Sequence, residues 1–155
     1  APSTPPTKLT MTIEYSSVQA PTAQELIKRL GLSPHPEKGY YLQTFIDDNK
    51  TNERSLSTAI YYLLQKDNGQ SNWHRVLDAT EIWHYYAGAP IKLSLSWNDG
   101  QPVREKILGP DILNGQRPQV IIDKGEWQSA QTLGDWTLVG CTVAPAFQFD
   151  KFEVC

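Results

Sequence analysis

The sequence predicts an all-β domain with a single short helix near its N-terminus. Six runs of β-branched and aromatic residues, at 40–46, 57–64, 81–87, 91–97, 119–122 and 136–143, are separated by turn-forming residues. Strands at roughly 8–12-residue spacing favour a sandwich or barrel over alternating β-α-β units. Asn98-Asp99-Gly100 predicts a hairpin turn, and residues 109–115 predict a short helical or 3₁₀ connection.

The predicted helix covers residues 22–31. Thr22-Ala-Gln-Glu25 reads as a capping box, which is typical of a helix start, and Gly31 supplies the stop. The apolar residues between them, Leu26, Ile27 and Leu30, share one face. Residues 1–8 are rich in Pro, Ser and Thr, so we expect a flexible tail followed by one domain over 9–155.

Charge and hydropathy exclude two classes of partner. The sequence has 14 Lys and Arg against 17 Asp and Glu, a formal net charge of −3, and no basic run that could follow a nucleic acid. It has no apolar run near the ~18 residues of a membrane span. Ala1 is what removal of an initiator Met leaves, so we expect a cytoplasmic protein, or a secreted one if an upstream signal peptide was removed.

A polar motif interrupts the aromatic strand sequence at 74–88. His74 and Glu81 lie seven residues apart, and Gly88 follows seven residues later. Titratable residues in such strands are costly to bury unless they have a function. The pattern His-x-Val-x(4)-Glu-x(6)-Gly resembles the first sequence motif of the cupins.

Further segments resemble, in order, a family of small and largely uncharacterised cupins that is related in fold to the dTDP-sugar epimerases. These segments are 34–41, 74–75, 80–88, 108–109, 125–128 and 136–145, and the resemblance covers about residues 26–154. It implies a single cupin jelly-roll barrel with the short helix outside it and a small organic ligand inside it.

The resemblance also implies where a metal would bind, and this sequence departs from that pattern. Metal-binding cupins have two His and one Glu in the first motif and another His in the second. Here Val76 takes the second His position, and Gln128 takes the final one. Because imidazole is a far better transition-metal ligand than a neutral amide, we expect no tightly bound metal. The alternative is a divalent transition metal held weakly by His74, Glu81 and Gln128.

The matching position in related barrels faces the cavity, which makes His74 a candidate catalytic residue; Glu81 is its candidate partner if it points inward, and a surface carboxylate at a strand edge otherwise. A neutral imidazole can exchange a proton near physiological pH, so His74 is the expected base. Glu81 is expected to orient His74 or to bind a substrate hydroxyl, and Gln128 is the expected hydrogen-bond donor to the ligand.

Strand alternation adds further candidate ligand-binding residues. Trp83 and Tyr85 share a face with Glu81, whereas His84 faces away and stays outside the catalytic set. Tyr41, Gln43 and Phe45 share a face of an earlier strand and form a second expected wall. His35 is expected either to reach the cavity mouth or to stabilise a turn.

These features favour an isomerase, epimerase or lyase that uses acid–base chemistry on a small organic molecule. A non-catalytic small-molecule binding protein and a loosely metallated oxygenase are the alternatives. Trp127 flanks Gln128 and is expected to point outward, where two barrels could bury such aromatics against each other. We therefore expect a homodimer.

Overall fold

The computed structural model describes residues 20–155, so the predicted tail over 1–8 and the start of the predicted domain lie outside the described residues. One helix, α1, spans Ala23–Leu30. Thirteen strands follow: β1 (Ser33–Pro34), β2 (Tyr40–Ile46), β3 (Lys50–Thr51), β4 (Arg54–Ser55), β5 (Thr58–Gln65), β6 (His74–Val76), β7 (Thr80–Gly88), β8 (Ile91–Ser96), β9 (Arg104–Leu108), β10 (Gln119–Ile122), β11 (Trp127–Thr132), β12 (Trp136–Ala144) and β13 (Phe152–Val154). Short 3₁₀ turns lie at Lys66–Asn68, Ile112–Asn114 and Phe149–Lys151.

The strands form two facing antiparallel sheets and one small hairpin. The six-stranded sheet has the order β1-β2-β5-β12-β7-β10, and the five-stranded sheet has the order β13-β6-β11-β8-β9. Strands that are neighbours in a sheet are often distant in sequence, as for β2 beside β5 and β5 beside β12. This arrangement confirms the predicted all-β jelly roll.

Helix α1 begins and ends as its sequence predicts. The Thr22 side chain accepts a hydrogen bond from the Glu25 backbone N–H, and Gly31 adopts the left-handed conformation that ends the helix. Its apolar face packs on the outside of the six-stranded sheet, against Leu63 and Leu138. No helix among residues 20–155 is long and apolar enough to cross a membrane.

The barrel interior has a filled part and a hollow part. Around β8, β9 and β10, aliphatic side chains fill the space between the sheets; the fully buried ones include Ile91, Leu93, Leu95, Leu108 and Ile122. Beside β5 and β6, the segment that follows β12 folds back across the barrel, and β13 pairs with β6. The space beneath this returning segment is hollow, and the polar motif of the sequence lies there.

Candidate functional site

The hollow part of the barrel, beneath the segment that follows β12, is a cavity of about 250 Å³. It is lined by His35, Tyr41, Gln43, Thr58, Ile60, His74, Val76, Glu81, Cys141, Val143, Phe147, Phe149 and Phe152. A smaller recess of about 30 Å³ continues inward, where Tyr62 and Trp83 join part of the same lining. Among residues 20–155, the lining of both spaces contains no lysine or arginine.

His74 lies on β6 at the cavity wall, with one ring nitrogen already engaged. Its Nδ1 is 2.9 Å from the backbone carbonyl oxygen of Asn72. A carbonyl can only accept, so Nδ1 carries the proton of the neutral ring and Nε2 keeps a lone pair. No hydrogen bond within residues 20–155 engages Nε2, which leaves a proton acceptor at the cavity.

Glu81, Trp83 and Gln128 form one hydrogen-bonded group beside the recess. The indole Nε1–H of Trp83 donates to Glu81 Oε1 at 2.8 Å and to Gln128 Oε1 at 3.1 Å. Gln128 is almost completely buried, and its Nε2 has no hydrogen-bond partner among the described residues. The indole thus fixes the carboxylate of Glu81 at the cavity wall.

Two of the roles expected from sequence differ from this geometry. The backbone of Asn72, and not the Glu81 carboxylate, orients His74, because that carboxylate is engaged by Trp83. Gln128 pairs with His74 across β11 and β6, but its side chain lies behind Trp83, outside the set of residues that line the cavity. An amide held there supports the wall and does not reach a ligand in the cavity.

The wall expected from β2 is formed in part. Tyr41 and Gln43 line the cavity, whereas Phe45 is half exposed and lies outside it. The reason is a bulge: Gln43 pairs with Ile60 and Phe45 with Ala59, so Thr44 is the extra residue. One inserted residue shifts the following side chain to the opposite face of the strand.

Tyr85 does not line the cavity as expected, because it lies too far along β7 from Glu81. It faces the interior and packs against the aliphatic core, and its hydroxyl donates to the backbone oxygen of Gly88. Four residues of strand advance roughly 13 Å, which carries Tyr85 past the cavity into the filled half of the barrel. His84 faces outward, where its Nε2 is 3.0 Å from the hydroxyl oxygen of Thr142.

His35 enters the cavity from the segment between β1 and β2. Its Nδ1 accepts the backbone N–H of Glu37 at 3.0 Å, and its ring packs edge-on against Tyr41 and Tyr62. Burial, with a smaller contribution from the nearby His74, lowers the pKa of His35 to about 4. The segment Pro34-His-Pro-Glu37 was a visible signal for a rigid turn, but its proximity to His74 depends on the tertiary fold.

Sequence reasoning also missed the apolar mouth of the cavity. Phe147, Phe149 and Phe152 line it and pack against one another at ring-centroid distances of 5.0 to 6.3 Å. The backbone N–H of Phe147 donates to Thr58 Oγ1, which fixes the returning segment over the cavity. The closely spaced phenylalanines near the C-terminus were the available signal.

The donor set does not fit a tightly held transition metal. Val76 lines the cavity at the position where metal-binding cupins would have an imidazole, and the amide oxygen of Gln128 already accepts from Trp83. Within residues 20–155, no three His, Cys, Asp or Glu side chains are grouped so that they could hold a metal ion. Of the four ligand positions of metal-binding cupins named above, this sequence keeps only His74 and Glu81, whereas such sites require three or four ligands.

Two antiparallel sheets closed around a ligand-sized hollow define a barrel of the cupin class. The protein belongs to the family described as Cupin superfamily (DUF985), whose sequence model matches residues 24–155. The cupin fold commonly binds small molecules, and it includes isomerases and metal-dependent enzymes.

Two solved structures are similar to this protein over most of their length. A hypothetical protein from Leishmania major is 31% identical with a TM-score of 0.78, and the match covers 86% of both sequences. Protein SO0799 from Shewanella oneidensis is 33% identical with a TM-score of 0.81, and the match covers 88% of this protein and 85% of that one.

A more distant structure shares the fold alone. The capsular polysaccharide assembling protein CapF from Staphylococcus aureus is 13% identical with a TM-score of 0.59, and the match covers 79% of this protein and 33% of CapF. No curated protein matches the sequence.

Proposed function

We propose that this protein binds a small uncharged carbonyl compound in the barrel cavity and moves a proton at the carbon next to the carbonyl. The chemistry is that of an isomerase, epimerase or lyase, and it does not use a tightly bound metal. His74 is the base, and Glu81 accepts a hydrogen bond from a substrate hydroxyl while favouring the charged form of His74 during the reaction.

The size and charge of the cavity support the ligand class. About 250 Å³ lies just below the 300–1,000 Å³ of drug-sized ligand sites. The Glu81 carboxylate lines the cavity, and no cationic side chain among the described residues lines it as a counter-charge. A phosphate or carboxylate group would therefore be desolvated without compensation, which disfavours nucleotide sugars and organic acids.

The observation that carries the proposal is the tautomer of the neutral His74 ring, which its backbone partner determines. Because the Asn72 carbonyl fixes the proton on Nδ1, Nε2 is ready to accept a proton from a ligand. In the proposed step, Nε2 takes the proton from the α carbon, the C–H electron pair forms a C=C bond, and the carbonyl π pair moves to oxygen. Return of the proton to the same carbon or to a neighbouring atom completes the reaction.

Solvent exchange tests this proposal. Hydroxyacetone, acetoin and benzylacetone are incubated with the protein in deuterium oxide, and loss of the α-proton signal is followed by proton NMR. We expect exchange to fall at least ~100-fold in His74→Gln, in line with the usual contribution of a general base. His84→Gln changes a histidine on the outer face and is expected to retain the wild-type rate.

Equal exchange in wild type and His74→Gln would contradict the proposal. Binding of these ketones by the wild-type protein without any exchange would instead favour the non-catalytic binding protein.

We also propose that the protein forms a homodimer, through a surface other than the one around Trp127. The guanidinium of Arg75 lies over the Trp127 ring at 4.7 Å and covers it. We call the outward side of the six-stranded sheet away from α1 the outer face; by strand register it includes Leu42, Phe45, Ile82, His84, Tyr86, Gln119, Ile121 and Thr142. The absence of Lys, Arg, Asp and Glu from these eight residues resembles the charge-depleted centre of protein interfaces, and a second copy offers a matching surface.

A further inference from the structure

The inner end of the cavity brings together two histidines from separate parts of the sequence. His35 precedes β2 and His74 lies on β6, yet both line the main cavity and its inner recess. Glu81, Ile60 and Cys141 are the other residues that line both spaces. Cys141 is fully buried, and burial raises the pKa of its thiol well above the ordinary value, so it is a neutral wall residue.

The backbone gives these two rings opposite proton arrangements. The Glu37 N–H is a donor, so the Nδ1 of His35 must accept, and the proton of the neutral ring lies on Nε2. The Asn72 carbonyl is an acceptor, so the Nδ1 of His74 must donate, and in the neutral ring Nε2 is unprotonated. No hydrogen bond among residues 20–155 engages either Nε2.

We propose that His35 is a second catalytic residue, whose Nε2–H donates a hydrogen bond to the substrate carbonyl oxygen while His74 Nε2 removes the α-proton. This inference rests on the proposed function. As the carbonyl π pair moves to oxygen, the negative charge develops against a fixed donor, and the proton stays on His35 throughout. A neutral imidazole suits this role, since it donates without adding a charge that would have to be desolvated.

The surroundings of His35 keep it in the required form. Its pKa near 4 means that the ring is neutral at physiological pH. The ring packs edge-to-face with Tyr41 and Tyr62, and the Tyr62 hydroxyl donates to the backbone oxygen of Lys38 at 2.7 Å. The His35 ring is therefore held by two tyrosine rings and by a hydrogen bond at Nδ1, as a positioned donor requires.

The first arm of the test examines proton positions in the wild-type protein. A long-range proton–nitrogen correlation spectrum at pH 7 distinguishes the two neutral imidazole tautomers and the charged form. We expect the Nε2–H tautomer for His35 and the Nδ1–H tautomer for His74, with assignments from single-histidine variants. A charged His35, or the same tautomer at both residues, would overturn the inference.

The second arm measures catalysis. His35→Phe keeps an aromatic ring between Tyr41 and Tyr62 but removes the donor, whereas His84→Phe makes the same change on the outer face. Removing a donor to an oxyanion commonly costs about 10²–10³ in rate, so we expect a loss of about that size in α-proton exchange for His35→Phe. The dissociation constant for benzylacetone should change less than tenfold, and His84→Phe should match wild type.

The outcomes separate the two proposals. No exchange by the wild-type protein contradicts the proposed function and with it the catalytic role of His35. Exchange that is fast in wild type and equally fast in His35→Phe overturns the role of His35 alone, provided that its circular dichroism spectrum matches that of wild type. If His35→Phe misfolds, the tautomer spectrum of the wild-type protein decides whether His35 has the proposed role.

Discussion

At the scale of single residues, the chemistry of the cavity depends on which backbone group each histidine meets. His35 accepts from an N–H and His74 donates to a carbonyl, although both imidazoles line the same recess. The position of the Glu81 carboxylate likewise depends on a neighbour, since the Trp83 indole N–H donates to one carboxylate oxygen. Sequence reasoning found His74 and Glu81 from their spacing, but it could not find the backbone partners that determine their roles.

The depressed pKa of His35 links folding stability to pH. The unfolded protein binds this proton at an ordinary pKa of 6.5, whereas the folded protein binds it only near 4. The stability that comes from neutral His35 is therefore fully present above pH 6.5 and is lost as the pH falls from 6.5 towards 4. We expect the urea midpoint of the wild-type protein to drop more between pH 7 and pH 4.5 than that of His35→Gln.

His84→Gln serves as the control for this measurement, because it changes an outward-facing histidine. An equal pH-dependent drop in wild type and His35→Gln would show that His35 titrates normally in the folded protein.

Trp83 connects the cavity wall at Glu81 to the core, and we expect its replacement to lower the stability of the fold. Trp83→Phe keeps most of the ring but leaves Glu81 Oε1 and Gln128 Oε1 without their shared donor. Leaving a buried acceptor unpaired costs about 1–3 kcal/mol, which we expect as a lower free energy of unfolding in urea. Trp97→Phe, at a residue that is 45% exposed, should have little effect.

At the scale of elements, local sequence predicts where the strands lie better than it predicts which side of the sheet each side chain faces. β2 and β10 have the predicted bounds, and α1 has the predicted cap and stop. The bulges at Thr44 and Tyr86 arise from the pairing of each strand with its neighbour, so simple alternation fails beyond them. Besides the two-residue strands, the predicted runs omitted β6, β9, β11 and β13, because polar or charged residues such as Arg104, Gln128 and Glu153 dilute their strand pattern.

The bulge at Tyr86 has a visible packing role. Tyr86 folds over Gly140 of β12, and a Cβ atom at position 140 would overlap the tyrosine ring in its present position. The ring stacks on His84 at a centroid distance of 6.5 Å and forms part of the outer face.

The phenylalanines of the C-terminal segment that follows β12 should favour ligands that carry an apolar group. Phe149 lines the cavity but is 63% exposed, so Phe149→Ala should cost little stability. An aromatic contact contributes about 0.5–1.5 kcal/mol, so we expect benzylacetone to bind roughly 2- to 13-fold more weakly by calorimetry. Hydroxyacetone, which has no ring, should bind equally to both proteins; equal weakening of both ligands would contradict this account of the mouth.

At the scale of the whole molecule, one barrel combines a filled part with a hollow part. Aliphatic residues on β8, β9 and β10 supply much of the core, and the space beside β5 and β6 holds a cavity lined by both apolar and polar groups. The outer face lies on the far side of the six-stranded sheet from this cavity, so association there leaves the cavity mouth free.

The proposed dimer makes a prediction at this scale. Phe45 and Ile121 are 50% and 49% exposed on the outer face, and a carboxylate at either position would be desolvated in a dimer. We expect Phe45→Glu and Ile121→Glu to be monomers by light scattering, whereas the wild-type protein is a dimer. Leu113→Glu changes a residue that is 97% exposed on a 3₁₀ turn outside the strands of the outer face and should remain dimeric. Dimers in all four proteins would contradict the outer face as the interface.

The most direct measurement of the central account is a crystal structure with acetohydroxamate, a small and largely uncharged mimic of an enediol at neutral pH. The account predicts that it occupies the cavity, with its carbonyl oxygen within hydrogen-bond distance of His35 Nε2 and its other polar end near His74 Nε2 and Glu81. The account would be contradicted if acetohydroxamate bound only outside the barrel, or if it did not enter the cavity at saturating concentration.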